Sequence, residues 1–281
     1  MVYKYRFNLK GTEVAEQIAL MNDTEFHYEL AGKGKPLVFI HAGICDRRMW
    51  DAQVAFFAQN YRVLRYDMRG FGETPHVPGE YSEIDDLRAL LDHLRLERVT
   101  LVGCSKGGTL ALDFTLLHAD RVEALVMVGS NPSGYEFASE PPEIWEHIVA
   151  AWKAGDLERT AELETEMWLV GQGRSRDDVP AALFDKVAAM NLIALRNEKA
   201  GIGENKTPKV QAVDRLAEVQ VPVLCIFGDH DDKPDLETAM RQIATEVAKG
   251  GMVVMEDTAH LPNMEKPDEF NQNVLNFLQS M

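Results

Sequence analysis

Short aliphatic runs alternate with stretches of helical periodicity along most of the chain. Six runs have the length and composition of buried strands, at residues 36–42, 61–67, 98–104, 122–130, 221–228 and 251–257. Each run is aliphatic throughout rather than alternating with polar residues, which is typical of parallel strands covered on both faces. Residues 83–96 and 105–118 have helical periodicity. The pattern predicts an α/β fold with a mostly parallel central sheet and helices on both of its faces.

The alternation stops between residues 132 and 218, where we predict no strand. Apolar residues in this segment recur at helical intervals. Three such faces are formed by Trp145, Ile148, Val149 and Trp152, by Leu163, Met167 and Val170, and by Leu183, Val187 and Met190. We therefore predict a helical insertion at 132–218 between two parts of one α/β core, at 1–131 and 219–281.

The charge of the chain restricts the class of partner. The 281 residues include 29 Lys and Arg against 45 Asp and Glu, which gives a formal net charge of −16. Nucleic acids and anionic membrane surfaces are bound through basic surfaces, so neither is an expected partner.

No apolar run approaches the ~20 residues of a membrane span, and residues 1–17 have no apolar core of a secretory signal. Cys45, Cys104 and Cys225 show no metal-binding spacing, and we expect reduced cysteines in a cytoplasmic protein.

Candidate chemistry begins at Ser105, in the sequence Gly-Cys-Ser-Lys-Gly between a predicted strand and a predicted helix. A structural interpretation is a strand-to-helix turn in which glycines relieve strain and Ser105 caps the helix. The functional interpretation is that the bend presents Ser105 as a nucleophile. The Gly-x-Ser-x-Gly spacing is common by chance, so the rest of the chain must decide.

Polar groups follow two later strands in the order that a serine nucleophile requires. Asp-His-Asp-Asp at 229–232 follows the strand at 221–228, and His260, in Thr-Ala-His-Leu-Pro-Asn-Met-Glu-Lys-Pro, follows the strand at 251–257. A serine hydroxyl is a weak nucleophile until a neighbouring base accepts its proton. A histidine base is in turn oriented by a carboxylate. The order serine, acid, histidine is that of an α/β-hydrolase site.

With these features the chain resembles the α/β-hydrolase superfamily, in its serine esterase and lactonase branch, from about residue 24 onward. The insertion resembles the helical lid (cap) domain of that superfamily. The resemblance implies that Ser105 is the nucleophile and His260 the base. In related sequences the acid stands three residues after the glycine that ends its strand, here Gly228, which indicates Asp231. Asp232 is the alternative, and Asp229 and Asp235 also compete.

The same resemblance implies an oxyanion hole made of two backbone N–H groups. One belongs to Lys106, at the start of a helix whose dipole favours negative charge. The other follows His41 and belongs to Gly43, with Ile44 as the alternative because the family's usual His-Gly is His-Ala here. His41 is expected to be a structural loop residue, and Asp67 and Arg69 to brace loops beneath the site. Candidate substrate contacts are Ile44, Trp145 and Trp168.

The predicted function is hydrolysis of a small ester or lactone through an acyl-enzyme, without cofactor or metal. A carbon–carbon bond hydrolase, a perhydrolase and a small-ligand sensor that retains the pocket are the alternatives. A metal site at 229–232 is disfavoured because no second histidine completes a ligand set. Arg47, Arg48 and Lys106 could attract an anionic substrate, but pairing with acids such as Asp46 and Asp51 is favoured. The acyl group, the leaving group and the choice between monomer and homo-oligomer stay open.

Overall fold

The computed structural model of the protein describes residues 4–7, 13–231 and 235–281, with the backbone alone for residues 4–7 and 13–15. The described strands, in chain order, are β1 (Lys4–Phe7), β2 (Glu13–Met21), β3 (Thr24–Ala31), β4 (Pro36–Ile40), β5 (Arg62–Tyr66), β6 (Glu80–Tyr81), β7 (Val99–Cys104), β8 (Val122–Val128), β9 (Glu204–Asn205), β10 (Pro222–Gly228) and β11 (Lys249–Met255). All six strands predicted from aliphatic runs are present.

Nine of these strands form one sheet in the order β1-β2-β3-β5-β4-β7-β8-β10-β11. Neighbours from β5 to β11 are parallel, whereas β1, β2 and β3 form an antiparallel meander that joins the sheet at β5. The mostly parallel α/β sheet is thus confirmed. The meander is an addition that the aliphatic runs did not predict, because β2 and β3 mix polar and apolar positions.

Helices cover both faces of the sheet. The core helices are α1 (Asp51–Phe57), α2 (Glu83–His93), α3 (Lys106–Leu117), α7 (Leu236–Glu246), α8 (Pro262–Glu265) and α9 (Pro267–Ser280). On one face, α2, α3 and α7 bury Leu87, Leu90, Leu110, Phe114, Met240 and Ile243. On the other, α1 and α9, with the turn before α1, bury Trp50, Val54, Phe57, Phe270 and Val274. No helix in the described ranges combines the length and the apolar character required to cross a bilayer.

The last strand departs from the prediction that each aliphatic run is covered on both faces. β11 lies at the edge of the sheet, and only its final residue, Met255, is buried. Val254 is 41% exposed. An aliphatic run gives β propensity but does not tell where in the sheet the strand lies, so the prediction of full burial is wrong for β11.

The insertion is helical, with α4 (Ile144–Ala154), α5 (Leu157–Thr165), a π-helical turn at Glu166–Val170 and α6 (Ala181–Ala200). Ile148, Leu163 and Met167 form a small core of its own. The prediction of no strand is wrong at one point, because the two-residue β9 pairs with β6. A strand of two polar residues has no aliphatic run from which it could be predicted.

The two ends of the insertion lie side by side. The Ala212 amide donates to the Ser133 hydroxyl at 2.9 Å, and the Val213 amide donates to the Ser133 carbonyl at 3.1 Å. Adjacent ends are what an insertion into a continuous sheet requires. The proposed division at 132–218 stays a prediction that these contacts support.

Candidate active site

Ser105 lies at the junction of β7 and α3 with φ 51° and ψ −120°. Residues other than glycine rarely adopt this backbone conformation, because their Cβ atoms are crowded in it, so Ser105 is strained. The Ser105 amide donates to the Val128 carbonyl at 2.8 Å, and a Cβ at Gly103 would lie 2.2 Å from the Gly107 carbonyl oxygen. The side chain makes no capping hydrogen bond to the helix. Helix capping therefore does not explain why serine stands at this strained position.

Asp231, in the loop after β10, contacts His260, in the loop after β11. Asp231 Oδ2 lies 2.7 Å from His260 Nδ1, and 3% of the histidine side chain and none of the aspartate side chain are exposed. A carboxylate at Nδ1 favours the tautomer with the proton on that nitrogen. The lone pair is then on Nε2, the nitrogen that a general base would use.

The other aspartates considered from the sequence have different partners. Asp229 accepts a 3.3 Å hydrogen bond from the Thr258 amide. Asp235 accepts from the Ala138 and Ser139 amides at 2.8 Å each. Asp232 lies outside the described residues. Among the aspartates that the structure describes, Asp231 is the one that contacts His260, and its role as the acid stays a prediction.

The loop after β4 approaches the start of α3. A Cβ on Gly43 would lie 3.7 Å from Lys106 Cβ. Gly43 and Ile44 are the central residues of a turn closed by the Cys45 amide and the Ala42 carbonyl at 3.0 Å. Within residues 13–231 and 235–281, no protein acceptor bonds to the amides of Gly43, Ile44 or Lys106. Both predicted pairs of oxyanion donors, Lys106 with Gly43 or with Ile44, therefore remain available.

His41 is fully buried, and both ring nitrogens bond to backbone. Nδ1 lies 2.8 Å from the Ala42 carbonyl, and the Met68 amide donates to Nε2 at 2.9 Å. Together these bonds fix a neutral ring with the proton on Nδ1. Burial lowers the pKa of His41 to about 4. With no free nitrogen, His41 cannot act as a base for Ser105. Its ring instead joins the loop that follows β4 to the loop that follows β5.

The buried His41 should make stability depend on pH. An unfolded histidine titrates near 6.5 and folded His41 near 4, so in between the unfolded chain binds the additional proton. The contribution of His41 to the free energy of unfolding should then fall by about 3 kcal/mol as pH drops through this window. His41→Gln lacks this contribution, so its free energy of unfolding, measured by urea denaturation, should fall by about 3 kcal/mol less than that of wild type between pH 6.5 and 4. Asp67, whose pKa burial raises to about 6, has the opposite effect but is common to both proteins. Equal slopes would contradict the assignment.

The basic residues near the site are paired with acids. Arg47 is buried, with an ion pair to Asp67 and further pairs to Glu16 and Glu29, at 3.0 and 3.3 Å. Its role as an anion receptor is excluded by this burial, and its partners differ from the expected Asp46 and Asp51. The remaining carboxylate in its cluster is Glu73.

Arg48 and Lys106 are paired as well. Arg48 Nε donates to both carboxylate oxygens of Asp46, at 2.8 and 3.0 Å. Lys106 Nζ lies 2.7 Å from Glu83. Pairing is the alternative that the sequence favoured, although Asp51 binds Arg65 and not one of these residues.

One group of metal-ligating residue types lies close together in the described part of the chain, namely Glu16, His27 and Glu73. Arg47 already binds both carboxylates. A guanidinium in that position repels a cation, so the group does not fit a metal.

An apolar cavity of about 300 Å³ lies within the insertion, between its first residues at 137–142, the start of α4 and the π-helical turn. Its lining residues are Phe137, Ser139, Glu140, Pro141, Pro142, Trp145, Met167 and Trp168. Two predicted substrate contacts, Trp145 and Trp168, are thus brought together. The Trp168 ring also stacks on His260, with centroids 4.6 Å apart. Trp152, on the same predicted face as Trp145, lies instead beneath Lys199.

Two residues near His260 were missed from the sequence. The Ala259 amide donates to Glu265 Oε1 at 2.8 Å, and Arg174 of the insertion lies 2.7 Å from Glu265 Oε2. Burial raises the pKa of Glu265. The glutamate in the sequence that follows His260 was the available signal. Arg174 lies in a polar turn and has no comparable signature.

The chain matches the family model described as "Alpha/beta hydrolase family" over residues 37–273. It is 26% identical over 249 residues to carboxylesterase YbfK of Bacillus subtilis, covering 86% of this chain and 79% of the relative. It is 27% identical to 2-hydroxy-6-oxo-6-(2'-aminophenyl)hexa-2,4-dienoic acid hydrolase of Metapseudomonas resinovorans, covering 94% and 90%. The enol-lactonase structure from Burkholderia xenovorans superposes with a TM-score of 0.75 at 25% identity, over 94% of this chain and 100% of that one. Because the family match spans well over half of the chain and continues through the strands that carry Ser105, Asp231 and His260, the protein belongs to the alpha/beta hydrolase family.

Proposed function

We propose that this hydrolase cleaves a small, neutral carboxylic ester or lactone through an acyl-enzyme formed on Ser105. The observation that carries the proposal is the strained backbone of Ser105, whose side chain has no structural hydrogen bond to justify the strain. Strain of this kind persists where it serves a function. The contact of His260 with Asp231, and the unbonded amides of Gly43 and Lys106 in the described chain, supply the other parts that acyl transfer needs.

The reaction follows from these parts. Ser105 Oγ attacks the ester carbonyl while Nε2 of His260 accepts its proton, and Asp231 stabilises the resulting imidazolium. The negative charge on the carbonyl oxygen is stabilised by the Lys106 amide together with the amide of Gly43 or Ile44. The C–O bond breaks, and His260 returns the proton to the leaving alkoxide. Water then attacks the acyl-enzyme with His260 as base, which releases the acid and restores Ser105.

A neutral substrate is favoured by the surroundings of the cavity. Its walls are apolar apart from Ser139 and Glu140, and none of its lining residues is basic. Lys106, which follows Ser105, and Arg48 are both paired with acids. Burial of an unpaired carboxylate in an apolar site is costly. The relative from Metapseudomonas resinovorans is named as the hydrolase of a dienoic acid. The absence of a free cation among the lining residues of this cavity therefore favours a neutral ester or lactone for the present chain.

We expect the wild-type protein to prefer a neutral p-nitrophenyl ester over an ω-carboxylate analogue of equal chain length. The ratio of kcat/KM values should be at least about tenfold, because transfer of an unpaired carboxylate into this cavity costs about 1.4 kcal/mol or more. Glu140→Gln should narrow the ratio by removing a like charge. The measurement is steady-state hydrolysis of both esters, with matched lactones alongside.

Three outcomes would redirect the proposal. Equal kcat/KM values for the two esters would contradict the proposed preference for a neutral substrate. Faster cleavage of a vinylogous 1,5-diketone than of any ester or lactone would indicate carbon–carbon hydrolysis. A stable Ser105 adduct without turnover of any substrate would indicate a sensor.

A further inference from the structure

The π-helical turn Glu166–Val170 brings Trp168 against His260 through two contacts. The His260 amide donates to the Trp168 carbonyl at 3.0 Å. The indole and imidazole rings are stacked with centroids 4.6 Å apart and planes inclined by 38°. Single π-helical turns are frequent at functional sites. Here the turn lets one residue of the insertion contact both the backbone and the ring of His260.

Other contacts of the His260 imidazole also restrict its position. Asp231 bonds to Nδ1, and a Cβ on Gly129 would lie 3.0 Å from the same atom. With 3% of its side chain exposed, His260 has little contact with water. A positive charge formed on this ring must therefore be stabilised by protein groups.

We propose that Trp168 is a positioning residue for His260, holding the imidazole against Asp231 and stabilising through its π face the charge acquired when Ser105 gives up its proton. An aromatic face within about 6 Å attracts a cation, most strongly when water is excluded. This inference rests on the proposed function of the site. It differs from the role of substrate contact that the sequence suggested for Trp168, because the stacked partner is the base itself.

Other ionisable groups near His260 are the same in every protein compared below. They are Asp231, the ion pair of Glu265 with Arg174, the buried Cys104, whose Sγ lies 3.7 Å from the His260 carbonyl, and Asp229 and His230, which bond to the backbone of Thr258. Changes at residue 168 leave their number and charge unchanged. A shift in the pH profile can therefore be assigned to the indole.

The first test separates positioning from substrate binding. Trp145→Leu is the matched control, because Trp145 lines the same cavity and has no ring contact with His260. We expect Trp168→Leu to lower kcat roughly tenfold with little change in KM, whereas Trp145→Leu should act mainly on KM. Trp168→Phe, which keeps an aromatic face, should recover most of the lost kcat. The same change in KM alone for Trp168→Leu and Trp145→Leu would overturn the proposal.

The second test keeps the shape of the site. A fluorinated tryptophan weakens the π face without removing the ring, so the whole protein is produced with a fluorotryptophan. The second-order rate of Ser105 labelling by a fluorophosphonate is then measured against pH. The midpoint of the acid limb should move to lower pH by about half a unit, because the imidazolium loses stabilisation. Trp168→Phe, produced with the same analogue, should show no shift from fluorination.

The outcomes distinguish the two proposals. If the wild-type protein is not labelled at Ser105, the proposed function fails and the role of Trp168 fails with it. If Ser105 is labelled and fluorination leaves the midpoint unchanged, the role of Trp168 is overturned while the serine mechanism stands. Because the fluorinated protein retains every side chain, this result does not depend on the folding of a truncated variant.

Discussion

Ser105→Ala should lower kcat/KM for the best ester or lactone by about 10⁴-fold or more, since losses of this size follow removal of a triad nucleophile. The fold should be unchanged, because the Ser105 side chain makes no hydrogen bond to the helix that follows it. Steady-state hydrolysis, with circular dichroism and thermal unfolding to compare the folds, provides the measurement.

Ser130→Ala is a matched control for this variant. Ser130 is buried beside Gly108 of α3, and its hydroxyl donates to the Val128 carbonyl at 2.8 Å. It has the same residue type and lies in the same neighbourhood, but its hydroxyl bonds to backbone and not to His260, so kcat/KM should stay within about threefold of wild type. Retained turnover in Ser105→Ala, or an equal loss in both variants, would refute a serine nucleophile.

Asp231→Asn should lower kcat by about 10³- to 10⁴-fold, as expected when the orienting carboxylate of a triad becomes an amide. The amide can donate a hydrogen to Nδ1 of His260, which favours the tautomer that cannot accept the Ser105 proton on Nε2. The rates should be compared on the alkaline plateau of the pH–rate profile. His260 is neutral there in both proteins, so a difference in its protonation cannot account for the loss.

Asp229→Asn is the corresponding control, because Asp229 bonds to the Thr258 amide near His260 and not to the ring. Its effect should be within about tenfold, the scale of a weakened loop hydrogen bond. A severe loss in Asp229→Asn with near-normal rates in Asp231→Asn would move the acid to a different aspartate.

The parallel part of the fold could be predicted because local sequence carries the signal. Strands such as Val99–Cys104 and Pro222–Gly228 are mostly aliphatic and are buried except at Pro222, and the order of polar groups at their ends follows from chain direction. Position within the sheet is not local. Lys249–Met255 reads like its neighbours and yet lies at the edge, because its place depends on which strands pair.

The site was less predictable where it depends on contacts between distant segments. The pairing of Arg47 with Glu16 and Glu29 joins residues 31 and 18 positions apart in sequence. No spacing rule brings such groups together. The sequence indicates Trp168 as a substrate contact, but its ring contact with His260 depends on a π-helical turn that has no sequence signature.

The backbone of Ser105 has a consequence for how this protein would change under relaxed selection. At φ 51° and ψ −120°, glycine would be more stable than serine by about 1 kcal/mol or more, since it avoids the strain of a side chain in this region. Stability and turnover therefore favour different residues at one position. A descendant that no longer needed catalysis would gain stability from a single Ser105→Gly change, and that gain is the force that catalysis would have to oppose at this position.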